Sequence, residues 1–371
     1  MSAGASTTWT DALQRAWPTA LQRAWLDALQ RAWLKRGVVA CMLWPVAAVF
    51  GALTALRRAA YRMGWMHATT LPVPVVVVGN LIAGGAGKTP TVMAVVALLR
   101  AQGHAPGIVS RGHGRTAVGC MLVQRSTPAA ACGDEPLLLH VRTGAPVCVG
   151  RDRVAAARML LGAHPQVSVI VSDDGLQHLA LARAAQVLVF DARGVGNGWL
   201  LPAGPLREHL PARVPPRTVV LYNAPSPSTP LPGALARARL AGVVPLAAWW
   251  RGEPATLPAL DALCGAPVVA AAGLAQPDRF FAMLREAGLV VTPLPLPDHH
   301  AYSSPPWPLG TADVVLTEKD AVKLDPAATS GTRVWVAPLD FRPDAAFASA
   351  LLALLPPPAN PHGDAHGNAP A

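Results

Sequence analysis

The chain of 371 residues is 52% hydrophobic and 14% charged, so it can bury more than one core and general disorder is not expected. Its formal charge of +10 favours phosphate-rich partners, whether nucleotides, nucleic acid or an anionic membrane surface. The five cysteines, Cys41, Cys120, Cys132, Cys148 and Cys264, form no C-x-x-C pair, which argues against a disulfide framework or a zinc site and for a reducing compartment.

Within the first 36 residues the hexamer ALQRAW occurs three times, at 12–17, 20–25 and 28–33. This spacing advances about 80° beyond two helical turns, so Trp17, Trp25 and Trp33 spiral around a helix instead of forming one stripe. Such a peripheral segment suits the headgroup region of a membrane, or it is a local duplication without function. Residues 38–56 then run for 19 positions without a charge, long enough to cross a hydrocarbon core as a helix. Lys35 and Arg36 precede the run and Arg57, Arg58 and Arg62 follow it, so charge gives no orientation. Spanning, interfacial and core helices stay open, and a membrane-associated helix over 37–66 is the expectation.

From residue 67 short apolar runs alternate with helical patterns, the mark of an α/β fold with a mainly parallel sheet. Strands are expected at 75–78, 108–110, 147–149, 167–172, 187–190, 218–222, 268–272, 289–294, 314–317 and 334–337. That is more than one small sheet usually holds, and the Pro-rich stretch at 224–232 divides them. The expected layout is a P-loop NTPase-like parallel-sheet domain at 67–223, a linker at 224–240, a second, smaller α/β domain at 241–355 and a disordered tail at 356–371.

The chemistry begins at residues 75–103, where a β-rich run, a glycine loop and a helical pattern follow in the order that a phosphate-binding loop requires. Gly84, Gly85 and Gly87, with Ala86 between them, let backbone N–H groups turn onto phosphate oxygens at a helix N-terminus. Lys88 would reach the β and γ phosphates of ATP and the Thr89 hydroxyl would bind Mg²⁺. Pro90 falls in the first helical turn, where it is tolerated. The first glycine of the usual loop is Ile82 here, so the core G-G-x-G-K-T resembles the deviant loops of other α/β nucleotidases. Asp173 and Asp174, at the end of an expected strand, supply metal-side carboxylates. Asp134 and Glu135 form a second acidic pair before a helical pattern, able to divide base catalysis and metal binding or simply to cap the helix. In the loop PDHHAY, Asp298 stands beside His299, a pairing suited to taking a proton from a hydroxyl.

In order, GNLIAGGAGKTP, SRGHGR, GDEPLLL, GRDRVAAAR, SDDGLQH, GNGWLLPAGPLRE, PDHHAY and TEKDAVKL closely resemble the motifs of the tetraacyldisaccharide 4′-kinase family of lipid A biosynthesis, over about residues 34–339. The resemblance implies transfer of the ATP γ-phosphoryl group to the 4′-hydroxyl of a lipid A disaccharide precursor, at the cytoplasmic face of the inner membrane of a Gram-negative bacterium. It implies phosphate and Mg²⁺ contacts from Lys88 and Thr89, and metal-side roles for Asp173 and Asp174. Asp134 and His299 become the catalytic pair, Glu135 supports metal or substrate, and Arg111, Arg115 and Asp298 become substrate contacts. His113 stands where the family commonly has Tyr. The positive charge then serves the membrane, nucleic acid is not needed to explain it, and no obligate protein partner is inferred. The competing expectation is a membrane-associated ATPase of the deviant loop type, a switch or partitioning factor, although Ala83 precedes the glycine pair where such proteins carry a signature Lys.

Overall fold

The computed structural model describes residues 33–329 and 331–357; the ALQRAW repeat up to residue 32 and the tail from 358 lie outside the described residues. The described residues divide into two compact units, one comprising those up to Ala60 with Leu81–Ala83 and Arg193–Pro211, the other comprising the remainder.

The larger unit is built on two sheets. Strand β1 (Val75–Gly79) is buried along its whole length, and its VVVV run is what a central parallel strand covered on both faces requires. It pairs in parallel with β5 (Val169–Asp173) and β6 (Ala185–Asp191). Parallel pairing continues through β2 (Pro106–Ser110) and β4 (Val147–Val149) on one side, and β7 (Thr218–Asn223) and β8 (Ala234–Leu240) on the other. Antiparallel strands β3 (Met121–Val123) and β14 (Leu339–Pro343) close the two edges, giving nine strands in the order β14-β8-β7-β6-β1-β5-β2-β4-β3. The second sheet has five, in the order β11-β10-β12-β13-β9: Val290–Pro295, Pro267–Ala272, Asp313–Leu316, Arg333–Val336 and Val244–Pro245.

All ten expected strands are present, nine of them with shifted ends and 147–149 as expected. Strand β8 occupies the second half of the stretch expected as a linker, and β14 returns from the second sheet to pair with it. The chain therefore passes between the sheets twice, side by side. Helices α2 (Lys88–Ala101), α3 (Asp134–Thr143) and α4 (Arg153–Ala163) follow β1, β3 and β4 in sequence, and α5 (Pro277–Glu286) joins β10 to β11. Phe280, Phe281 and Leu284 of α5 are buried in a core with Val268, Ala270 and Val315 of the second sheet. The carboxyl ends of β1, β2, β5 and β7 feed the loops that carry the chemistry, as open parallel sheets dispose their ligand sites.

In the smaller unit α1 (Val38–Arg62) buries Ala40 and Ala47, and a Cβ on Gly51 would stand 2.7 Å from Leu200 Cδ1. Arg58 pairs with Glu208, and Arg36 donates to the Asn197 carbonyl at 3.0 Å while lying over the Trp199 ring. Most of the remaining circumference is exposed and apolar: Val39, Met42, Val46, Val49, Leu53 and Leu56 form a stripe at alternating steps of three and four residues. By length and composition the helix is able to cross a membrane.

Ile82, in place of the usual loop glycine, is buried and bridges Leu206 in antiparallel fashion. Ala83 N–H donates to the Pro205 carbonyl and Arg207 N–H to that of Leu81, each at 2.7 Å. Backbone pairing with the GPLRE segment thus holds this stretch extended, and an extended residue has no need to be glycine.

Candidate active site

On the nucleotide side, Gly87 takes φ 82° at the N-cap of α2, a left-handed conformation that opens the helix end. Any Cβ there would also crowd the Asn223 side chain at the end of β7, so the turn requires glycine and the neighbour reinforces it. Lys88 Nζ lies 3.6 Å from Asp174 Oδ1 and 3.3 Å from Asn80 Oδ1, and the Asn80 amide in turn donates to the Gly84 carbonyl at 3.1 Å. Asp174 adopts φ 46°, a left-handed position that Asp tolerates better than most residues. Register pairs Asp173 with Val78 of β1, placing that carboxylate beside the root of the loop.

Asp173 is buried, accepts from the Ser110 hydroxyl at 3.0 Å through Oδ2, and leaves Oδ1 without a hydrogen-bond partner among the described residues. Burial, reinforced by the neighbouring charges of Glu135 and Asp174, pushes its carboxyl up to about 7. An orphaned, charge-crowded carboxylate is the environment that a bound cation relieves, so Asp173 fits Mg²⁺. Among the described residues no cluster of three or more His, Cys, Asp or Glu is arranged to hold a metal. That accords with Mg²⁺ chemistry, in which one or two carboxylates act together with substrate phosphates and water.

On the acceptor side, Asp134 begins α3 and is buried, and its Oδ2 lies 2.9 Å from His299 Nδ1. Burial alone would raise the Asp134 carboxyl, but the His299 hydrogen bond and the charges of Lys319, His299 and Lys323 hold it below the ordinary carboxylate range. The same hydrogen bond draws His299 above the ordinary imidazole range, against burial and the Lys319 charge. His299 sits at φ 59°, and its backbone N–H donates to Asp298 Oδ1 at 3.0 Å. Lys319 Nζ is 3.1 Å from Asp298 Oδ1, 3.5 Å from Glu135 Oε1 and 3.4 Å from His299 Nε2. Burial opposes the Lys319 charge, yet Glu135, Asp134 and Asp298 outweigh it and keep the ammonium above its ordinary range.

Glu135 joins the two sides, since it pairs with Lys319 and its charge bears on Asp173. The expected residues 134, 135, 298 and 299 thus come together, as do 88, 173 and 174. Arg111 is exposed at the end of β2. Arg115 does not extend outward; it donates to the carbonyls of Val149 and Gly119, which braces its own loop. The His113 ring lies 6.0 Å from that of His299, so this position borders the Asp134–His299 pair.

Four residues with no role assigned from the sequence belong here. Asn80 holds the glycine loop, Asn223 at the end of β7 lies against Gly87, and Arg153 is buried with its guanidinium donating to the carbonyls of Gly150 and Asp173 at 2.8 and 3.4 Å. Lys319 is the fourth. The signals for three of them lay in GNL, GRDR and TEKD; Asn223 carried none.

The family model for tetraacyldisaccharide-1-P 4′-kinase (LpxK) matches residues 39–356. The tetraacyldisaccharide 4′-kinase of Methylibium petroleiphilum is 59% identical over 329 residues, covering 87% of this chain and 92% of that protein. That of Leptothrix cholodnii is 56% identical over 325 residues, covering 86% and 93%. The solved structure of the apo form of LpxK from Aquifex aeolicus in complex with ATP shares the fold, with a TM-score of 0.72 at 24% identity over 86% of this chain and 100% of that one.

Proposed function

The chain belongs to the tetraacyldisaccharide-1-P 4′-kinase family, and from that premise we propose that it transfers the γ-phosphoryl group of ATP to the 4′-hydroxyl of a tetraacyldisaccharide 1-phosphate, giving lipid IVA. The observation that carries the mechanism is the 2.9 Å contact between Asp134 and His299, tied through Glu135 to the carboxylate beside the glycine loop. The switch or partitioning ATPase is not favoured, because the family match is to a kinase and such a switch has no evident use for a carboxylate at the start of α3 paired with an imidazole from the loop after β11.

A sugar hydroxyl is a poor nucleophile near neutrality, so positioning, charge neutralisation and proton removal carry the rate. The loop backbone and Lys88 hold the β and γ phosphates. Asp134, kept ionised by His299, accepts the 4′-hydroxyl proton as the sugar oxygen bonds to the γ phosphorus and the bond to the β–γ bridging oxygen breaks. His299 orients that carboxylate through its Nδ1–H, while Arg111 meets the substrate's phosphate. Mg²⁺, when bound, would neutralise the phosphate charge; Thr89, Asp173 and Asp174 would hold it, with Glu135 supporting the site through its charge.

A substrate with several acyl chains stays in the bilayer, since each buried CH₂ is worth about 0.8 kcal/mol. The exposed apolar stripe of α1 brings the enzyme to that surface, at the cytoplasmic face of the inner membrane where ATP is available. Purified protein in detergent with γ-labelled ATP, Mg²⁺ and the disaccharide 1-phosphate is expected to yield labelled lipid. ATP consumption without labelled lipid would overturn the assignment.

A further inference from the structure

His299 belongs to an exposed loop, with 39% of its side chain accessible, yet it must meet a buried carboxylate 165 residues earlier in the chain. Lys319 supplies a means of holding it there. Its ammonium reaches Asp298, the neighbour of His299 on the same loop, and Glu135, the neighbour of Asp134 on α3, as well as the far ring nitrogen of His299 itself. One cation therefore touches both partners' neighbours.

The position of Lys319 is itself fixed. It lies in the short helix α6 (Glu318–Ala321), whose N-cap Thr317 accepts from the Asp320 backbone. Asp320 is fully buried and accepts from Gly273 N–H at 3.1 Å, from the Thr317 hydroxyl at 2.6 Å and from the Lys323 ammonium at 3.1 Å. Glu318 pairs with Arg142 in the last turn of α3 and accepts from Trp249 Nε1 at 2.9 Å. Two consecutive residues of α6 thus grip the two ends of a helix about 14 Å long: the basic one takes the acidic first turn and the acidic one takes the basic last turn. The charge order of α6 is complementary to that of α3 and fixes their register.

We propose that Lys319 is a positioning residue for phosphoryl transfer, whose ammonium ties Asp298, Glu135 and His299 together so that His299 Nδ1 meets Asp134 only while the tie is made. Removing it would leave the carboxylates of Asp134, Glu135 and Asp298 facing one another without their shared counter-ion, and like charges separate. The inference rests on the kinase assignment for its effect on rate, but its structural part is independent of activity.

The test joins kinetics to a signal from the imidazole. In full-length protein labelled with ¹⁵N-histidine, the Nδ1–H of His299, identified by its loss in His299→Gln, is expected to be protected from exchange in the wild type and lost in Lys319→Met. In the same variant kcat should fall about 10²-fold with KM for ATP within about threefold, as when a proton acceptor is misplaced but nucleotide binding is spared. Lys319→Arg should recover part of the loss. The double variant with His299→Ala should be no slower than His299→Ala alone, because both changes disable one unit. If Lys319→Met does not fold, Asp298→Ala removes one exposed arm of the tie and should reduce the signal and kcat in the same direction. A retained His299 signal, an unchanged kcat or losses that multiply in the double variant would overturn the proposal. A wild type that shows the protected signal but phosphorylates no lipid would instead overturn the kinase assignment.

Discussion

The acceptor side of the site carries its own counter-ions, with Asp134, Glu135, Asp298, His299 and Lys319 in mutual contact at 2.9 to 3.5 Å. The nucleotide side is compensated less fully: Lys88 pairs with Asp174 at 3.6 Å, but Asp173 has a buried oxygen with no hydrogen-bond partner among the described residues, and carboxylate neighbours crowd it. The proposed function gives each side a reason for the difference. A proton acceptor must be ionised and aimed before the hydroxyl arrives, whereas a carboxylate that helps to hold a cation and phosphates gains nothing from being satisfied beforehand.

The largest effect expected from this contrast is on turnover. Asp134→Ala or His299→Ala should lower kcat by about 10² to 10⁴ fold while ATP binding stays nearly intact. Steady-state kinetics beside nucleotide titration separate the two, and a matching loss of ATP affinity would merge sides that the contrast keeps apart.

Stability should respond with opposite signs. Asp173→Asn removes a poorly compensated buried charge, so in the absence of nucleotide and Mg²⁺ it should raise Tm by about 2 °C or more, whereas His299→Ala should lower it. The pH dependence follows from the raised carboxyl of Asp173. Its folded-state value of about 7 lies above the unfolded one, so its charge destabilises the fold above neutrality and the penalty is relieved as pH falls and the group protonates. The advantage of Asp173→Asn over the wild type should therefore shrink as pH is lowered from about 7 towards the ordinary carboxylate range of the unfolded chain. Calorimetry of both proteins across that range would show it, and a gap that widens would contradict the sign.

How much of this contrast was legible in the sequence follows from the range of the interactions. The glycine loop is local, and Gly84, Gly87 and Lys88 declare it by spacing alone. Asp173 was legible for the same reason, at the end of a valine-rich strand. The acceptor side joins residues 165 positions apart, which no spacing encodes, and Asp134 and His299 were paired only through the family resemblance. Lys319 was quoted in TEKDAVKL without a role, because a lysine in a short helix gives no sign of what it faces. Strand β8 escaped because ALARARL alternates alanine and arginine, with the weak apolar signal of a strand near a sheet edge. Ile82 looked like a defect in the loop until backbone pairing with the GPLRE segment accounted for it.

A smaller effect sharpens the contrast from outside the site. The triple change Val46→Glu, Val49→Glu and Leu53→Glu should weaken binding to anionic vesicles and raise the apparent KM for lipid about tenfold, leaving kcat in detergent within about twofold. A collapse of kcat would mean that α1 does more than dock the enzyme.

The smallest is a labelling rate. Burial pushes the thiols of Cys132 and Cys148 up to about 11, while Cys41 and Cys264 are exposed. A maleimide at neutral pH should therefore modify Cys41 and Cys264 first, and the buried pair only on unfolding. Cys132 lies two residues before Asp134, so its rapid modification in the native enzyme would show that the acceptor side is not held closed.

The most direct measurement is a single turnover. Enzyme preloaded with γ-labelled ATP and Mg²⁺ is mixed with tetraacyldisaccharide 1-phosphate, and labelled lipid is followed for the wild type and Asp134→Asn. The expected result is rapid transfer by the wild type and transfer slowed about 10³-fold in the variant at equal ATP occupancy. Transfer undiminished in Asp134→Asn would contradict Asp134 as the proton acceptor.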